Sequence, residues 1–149
     1  LLKLKQSFLF SNAITTLASW QAGTDCCNWE GVGCSWSSGY VTTLDLSGFG
    51  LFSYGIDPVL FNLTSLKVLD LSMNNFGDQH YAIPSVGFER LALLTHLSLP
   101  NSRISGEIPI GISKLTNLIS LDLSCRYGPF GVIRESHFQT LVANLNNLI

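Results

Sequence analysis

The chain has 149 residues, of which 46 % are hydrophobic and 12 % charged, with a formal net charge of −2. That length suits one domain, and so small a charge gives no pull toward nucleic acid or an anionic membrane surface. No apolar run reaches the length of a bilayer-spanning helix, so this segment is expected not to insert into a membrane.

The first predicted element is an amphipathic helix. Leu1, Leu4 and Phe8 fall on one face with Leu2 and Leu9 beside them, and Lys3, Lys5 and Gln6 lie opposite. A second short helix is expected over residues 15–20, opened by Asn12 or Thr15 as a capping residue. Cys26, Cys27 and Cys34 then fall within nine residues. Cysteines so closely spaced at the start of a stacked structure suggest a staple, worth about 2–4 kcal/mol, and an oxidising, extracellular route. Trp20, Trp29 and Trp36 are expected to pack this region.

From residue 40 onward one frame of aliphatic residues recurs, L-x-x-L-x-x-L-x-L. It is whole at Leu63, Leu66, Leu69, Leu71, at Leu91, Leu94, Leu97, Leu99 and at Leu115, Leu118, Leu121, Leu123. An imperfect copy stands at Val41, Leu44, Leu46, and another opens at Leu145 and Leu148. Leu44 to Leu69 is 25 residues, the step to Leu97 is 28 and that to Leu121 is 24. Self-similarity at this period marks a leucine-rich-repeat solenoid, in which each turn buries its core only against its neighbours. The fold class is α/β: a right-handed solenoid with a parallel concave sheet, an irregular or 3-10 convex side, and a helical, disulfide-closed N-terminal cap. L-x-L alternation supplies the strands, and the wider L-x-x-L spacing suits the convex segments. The expected division is a cap over residues 1–39 and about four repeats over 40–149, stopping at the start of a fifth. A surface loop is expected over 77–81, and residues 125–145 depart most from the frame and should bulge from the stack.

Several runs carry a resemblance to a family. Leu1-Leu2-Lys3-Leu4-Lys5-Gln6-Ser7-Phe8, then Leu17-Ala18-Ser19-Trp20, then D-C-C-x-W-x-G-V-x-C and G-Y-V-T-T-L-D-L-S-G resemble the plant leucine-rich-repeat N-terminal cap. Leu121-Asp122-Leu123-Ser124 and Ile104-Ser105-Gly106-Glu107-Ile108-Pro109 are similar to the plant-specific repeat. The doubled cysteine looks most like plant receptor-like proteins and polygalacturonase-inhibiting proteins. The resemblance implies a bridge from Cys27 to Cys34, and a bridge from Cys26 to an upstream cysteine that this chain lacks. A Cys26–Cys125 bridge would need Cα atoms within about 7 Å across three turns and is not expected. The consensus asparagine column reads Phe49, Asn74, Ser102, Arg126, so one turn keeps it. The Ile-Pro step stands at Ile83-Pro84 and Ile108-Pro109 and is altered to Ile56-Asp57-Pro58.

Catalytic signals are weak, and no enzyme activity and no cofactor are expected. His80, His96 and His137 show no metal-ligand spacing, adjacent Cys26-Cys27 is neither a redox pair nor a zinc knuckle, and Gly48-x-Gly50 has no continuation as a phosphate loop. Binding is the remaining class. The x residues of the strands should face the concave surface: Thr43, Asp45, Ser47; Val68, Asp70, Ser72; His96, Ser98, Pro100; Ser120, Asp122, Ser124. Asp45, Asp70 and Asp122 share a column broken by Ser98. As a site it is an acidic stripe for a basic peptide; as plain repeat consensus it serves solubility and local hydrogen bonding, and that plainer reading is preferred. Val68, Met73 and His96 depart more from consensus. The candidate ligand face is therefore Asp45, Val68, Asp70, Met73, His96, Ser98, Ser120 and Asp122.

Two functions follow from the resemblance. One is the extracellular, ligand-recognising segment of a plant cell-surface receptor in immune or developmental signalling, with a protein or peptide ligand and a co-receptor. The other is a secreted inhibitor of a pathogen cell-wall enzyme; a plain repeat scaffold is the third option. Unequal repeat lengths favour the receptor. Asn62-Leu63-Thr64 is the only N-glycosylation sequon, expected on the convex side. Leu1 opens inside a helical pattern and Ile149 falls inside a repeat frame, so a segment of something longer is expected. Its uncapped C-terminal strand edge would favour self-association.

Overall fold

A computed structural model describes residues 1–9, 17–77, 83–102, 107–124 and 135–148. Asn12, Thr15, His80, Cys125, Arg126 and the run Ile104-Ser105-Gly106 lie outside them, as does the side chain of His137. So do the loop beyond Gly77 and residues 125–134 of the turn expected to bulge.

Strong helix formers and a leucine face make α1 over Leu2–Ser7, which ends where Phe8 turns extended at φ −83°, ψ 133°. Leu4 and Phe8 are buried. Leu9 has left the helix and is 43 % exposed, bridging to Phe52. The second expected helix is not present in its described part: Leu17–Ser19 form a turn, with Leu17 at φ 61°. Trp20 N closes the turn on Leu17 O at 3.1 Å, and the Lys5 ammonium supports it by donating to Leu17 O at 2.8 Å and Trp20 O at 2.9 Å.

Five strands form one sheet in the order β1 (Val32–Cys34), β2 (Val41–Asp45), β3 (Val68–Asp70), β4 (His96–Ser98), β5 (Ser120–Asp122). β1 pairs antiparallel with β2, and every later pair is parallel. The register sets Leu44, Leu69, Leu97 and Leu121 side by side. The first three are fully buried, while Leu121 and Leu123 at the sheet edge are half-buried. Each return path on the convex side is a 3-10 turn: Pro58–Asn62, Phe88–Arg90 and Ile110–Lys114. The altered Ile56-Asp57-Pro58 step still starts its turn well, because Asp57 accepts from Val59 N at 2.8 Å and Pro58 supplies a preset φ.

Where the frame was expected to bulge, α2 (Glu135–Asn144) takes the convex place of a 3-10 turn and packs beside Ile110–Lys114. Leu141 and Leu145 are buried, and Leu118 is fully buried. The described part of this turn therefore continues the stack. Asn147 Nδ2 donates to Thr116 O at 2.8 Å, repeating the bond of Asn117 Nδ2 to Ala92 O one turn earlier. Amide side chains thus link successive turns outside the consensus column.

Inside that column, Asn74 does the work of several residues. Its Oδ1 accepts from Leu51 N at 3.0 Å, and its Nδ2 donates to Leu46 O, Leu71 O and Ser72 O. Ser102 replaces it in the next turn with one bond to Leu99 O, and Phe49 fills the place before it by packing on the core.

The cap is closed by the Cys27–Cys34 disulfide, Cα–Cα 5.5 Å, the pairing that the family resemblance implies. Trp20 and Trp29 stack at 5.4 Å, both buried, and donate to Glu30 O and Thr24 Oγ1. Gly31 sits at φ 73°, and a Cβ there would run into the carbonyl of Asp45, so glycine is what lets β1 lie on β2. Trp36 contradicts expectation. It stands fully exposed in the β1–β2 hairpin, with no packing role.

Candidate functional site: the concave sheet

The parallel register converts sequence columns into rows on one surface. Thr43, Val68, His96 and Ser120 stand side by side on β2–β5, and Asp45, Asp70, Ser98 and Asp122 form the row beside them. Neighbouring strands lie about 4.8 Å apart, so each row presents one side chain per strand at that interval across the sheet.

Asp45, His96, Ser120 and Asp122 are exposed, while Val68, Asp70 and Ser98 are half-buried. The three carboxylates have local work. Asp45 Oδ1 accepts from Ser47 N at 3.0 Å and Ser47 Oγ at 2.7 Å, Asp70 Oδ1 from Ser72 N at 2.8 Å, and Asp122 Oδ1 from Ser124 N at 2.9 Å. Each aspartate closes the turn that leaves its own strand. That geometry supports the plainer reading of L-D-L-S, and it leaves the row anionic. His96 Nδ1 lies 2.9 Å from Thr95 Oγ1, which orients the ring.

Two residues sit elsewhere than the alternation suggests. Ser72 is buried rather than presented to solvent. Met73 lies past the end of β3, on the rim of the sheet, 67 % exposed with φ 56°. Its N–H donates to Pro100 O at 2.9 Å, as Gly48 N does to Ser72 O and Asn101 N to Ser124 O. Gly48, Met73 and Asn101 share the left-handed conformation. A glycine and an asparagine are ordinary there, and a methionine is not.

The β1–β2 hairpin adds Trp36, which the sequence reading assigned to packing, and Tyr40, which it did not single out. Both are exposed, Tyr40 at 66 %, and stand at the N-terminal end of the same sheet. The turn residues Ser37-Ser38-Gly39 between them were the signal that this stretch is a surface loop. Among the described residues, one group of three side chains has donor atoms within 4.8 Å of one another, Cys26, Cys27 and Cys34. Two of the three are joined as the disulfide, so the set does not offer three thiolates to a metal. Cys26 has no disulfide partner among the described residues.

Comparison with known proteins agrees with this geometry. Residues 1–35 match the family described as Leucine rich repeat N-terminal domain, and residues 65–86 and 93–115 match Leucine Rich Repeat. The chain belongs to the leucine-rich-repeat family, and its relatives within it are plant receptor-like proteins. Receptor-like protein 6 of Arabidopsis thaliana is 41 % identical over 111 residues, covering 73 % of this chain but only 11 % of that protein. The BIR2 ectodomain from Arabidopsis thaliana superposes with a TM-score of 0.77 at 29 % identity, over 97 % of this chain and 72 % of that one. A chain of the BIR3–SERK2 complex from the same plant superposes with a TM-score of 0.74 at 27 % identity, over 93 % of this chain and 72 % of that one.

Proposed function

We propose that this chain is a ligand-recognising segment of a plant cell-surface receptor, and that it binds a protein or peptide on the concave sheet. The carrying observation is the pair of side-chain rows on β2–β5, where His96 and Val68 interrupt an otherwise polar, acidic surface. A parallel sheet presents these rows to a ligand without moving its own backbone. The relatives support the same reading, because they are named receptor-like proteins, and the solved structures similar to this chain include the BIR2 ectodomain and a chain of the BIR3–SERK2 complex. Those names favour the receptor over a secreted inhibitor. Binding, rather than catalysis, is the activity, and the location is the cell exterior. No helix among the described residues is long and apolar enough to cross a membrane.

The aspartates Asp45, Asp70 and Asp122 close their own turns, so His96 and Val68 set where the ligand rests. Panning a displayed library of secreted-protein peptides against the immobilised chain tests this. Val68→Arg with His96→Glu should weaken the selected peptides about tenfold or more, the loss of one central contact. Lys114→Ala, on the convex side, should leave them unchanged. A library without binders, or binders lost with Lys114→Ala and kept with the strand substitutions, overturns the assignment.

A further inference from the structure

We infer that the tip of the β1–β2 hairpin, residues 35–40, is a stacking platform for a neutral polysaccharide, with Trp36 as its anchor and Tyr40 as its second ring. Trp36 is fully exposed and Tyr40 largely so, whereas Trp20 and Trp29 are buried against each other. Tryptophan is highly buried on average, so a ring standing wholly in water calls for a partner. The loop that carries it is ordered. Ser35 N donates to Tyr40 O at 2.9 Å and Gly39 N to Ser35 O at 2.8 Å, and the Cys27–Cys34 bridge ties down the strand that leads into it. A ring presented in this way loses little freedom when a ligand covers it.

The chemistry around the rings selects that ligand. Residues 31–44 carry no charged side chain, so the hairpin offers nothing to a uronate, a phosphate or an anionic lipid surface. Ser37, Ser38 and Gly39 stand between the two rings, all exposed, with no aliphatic side chain among them. A protein partner needs a contiguous apolar centre with a polar rim, and this loop supplies separate rings set among hydroxyls instead.

A pyranose with equatorial hydroxyls suits that pattern. Its axial C–H groups rest on the negative face of an aromatic ring. Its hydroxyls point outward, toward serine hydroxyls that both donate and accept. A β-1,4-linked glucan or xylan repeats such a face along its length. Trp36 and Tyr40 lie outside the rows of β2–β5, so the site is independent of the ligand face proposed above.

Retention of the 149-residue chain on insoluble cellulose and xylan, beside a polygalacturonate gel, tests the inference. The chain should be held by cellulose or xylan and not by polygalacturonate. Trp36→Ala should lower retention about three- to tenfold, the loss of one stacked ring, Tyr40→Ala should lower it by less, and Trp36→Phe should recover part of it. Neither ring belongs to the core, so both alanine variants should keep the parent's circular dichroism and Tm. Val142→Ser, at an exposed aliphatic position of α2, should change nothing. The hexasaccharide matching the retaining matrix should blue-shift tryptophan emission and protect it from acrylamide, a signal that belongs to Trp36 because Trp20 and Trp29 are already buried. No retention on either neutral matrix, retention on polygalacturonate alone, full retention by Trp36→Ala or unchanged emission overturns the site. Loss with Val142→Ser overturns it as well, since that would be adsorption through apolar surface in general.

Discussion

Met73 is the residue whose backbone and surroundings disagree most. Its φ of 56° places an L-residue with a long apolar side chain in the left-handed region, 67 % exposed, between Gly48 and Asn101 in the same column. The left-handed conformation costs roughly 1–2 kcal/mol for an ordinary residue, and so exposed a side chain returns little by packing. Asparagine tolerates that backbone through its short polar side chain. Met73→Asn should therefore stabilise the chain by about 0.5–1 kcal/mol and raise Tm by a few degrees in calorimetry. An unchanged or lower Tm would show that the methionine packs on the rim. At the same scale, Glu89 accepts a hydrogen bond from Gly87 N at 2.9 Å. Hydrogen bonds from its own N–H and from Gly87 N–H hold its carboxyl below the usual carboxylate range, helped by Lys114 and Arg90 and opposed by partial burial.

At the scale of the elements, side-chain amides add to the backbone hydrogen bonds and leucine columns that join the turns. Asn74 satisfies Leu51 N–H, Leu46 C=O, Leu71 C=O and Ser72 C=O in a buried setting. Ser72 C=O keeps Gly48 N–H and Leu46 C=O keeps Phe49 N–H, so Asn74→Ala takes the partner from Leu51 N–H and Leu71 C=O in an apolar interior, which costs about 2–4 kcal/mol. Urea unfolding should report that loss as a lower midpoint. Ser102→Ala removes a single bond to Leu99 O and should cost only about 1 kcal/mol. Equal effects would mean that the asparagine column has no special part in stacking.

Across the whole molecule, the core is a single cluster running from Leu4 in the cap to Leu145 at the far end. The Cys27–Cys34 bridge has a sequence separation of seven and closes the cap beside the buried, stacked Trp20 and Trp29. Closing so short a loop restricts the unfolded chain by about 2–3 kcal/mol. The double substitution Cys27→Ser, Cys34→Ser should lose about that much, measured by chemical denaturation under non-reducing conditions. A loss near zero would mean that the stacked tryptophans hold the cap unaided.

The amino-acid sequence by itself determined the solenoid and the rows of its sheet. Every turn repeats the same apolar spacing, so which side of each strand is inward follows from alternation alone; Leu44, Leu69 and Leu97 and the Asp45, Asp70, Asp122 row stand where the frame puts them. Only the tertiary structure decided what lies at ends and between turns. Leu17–Ser19 form a turn whose carbonyl at Leu17, with that of Trp20, is also bound by Lys5, and Trp36 stands exposed on its hairpin, with none of the described residues packed over it. Met73 lies on the rim rather than the sheet, and α2 replaces a 3-10 turn. Asn62 meets Arg90 across a separation of 28 residues. Periodicity records which face a residue takes within its own turn. Which atoms of the next turn it meets depends on the length and shape of the intervening chain, and no local pattern carries that information.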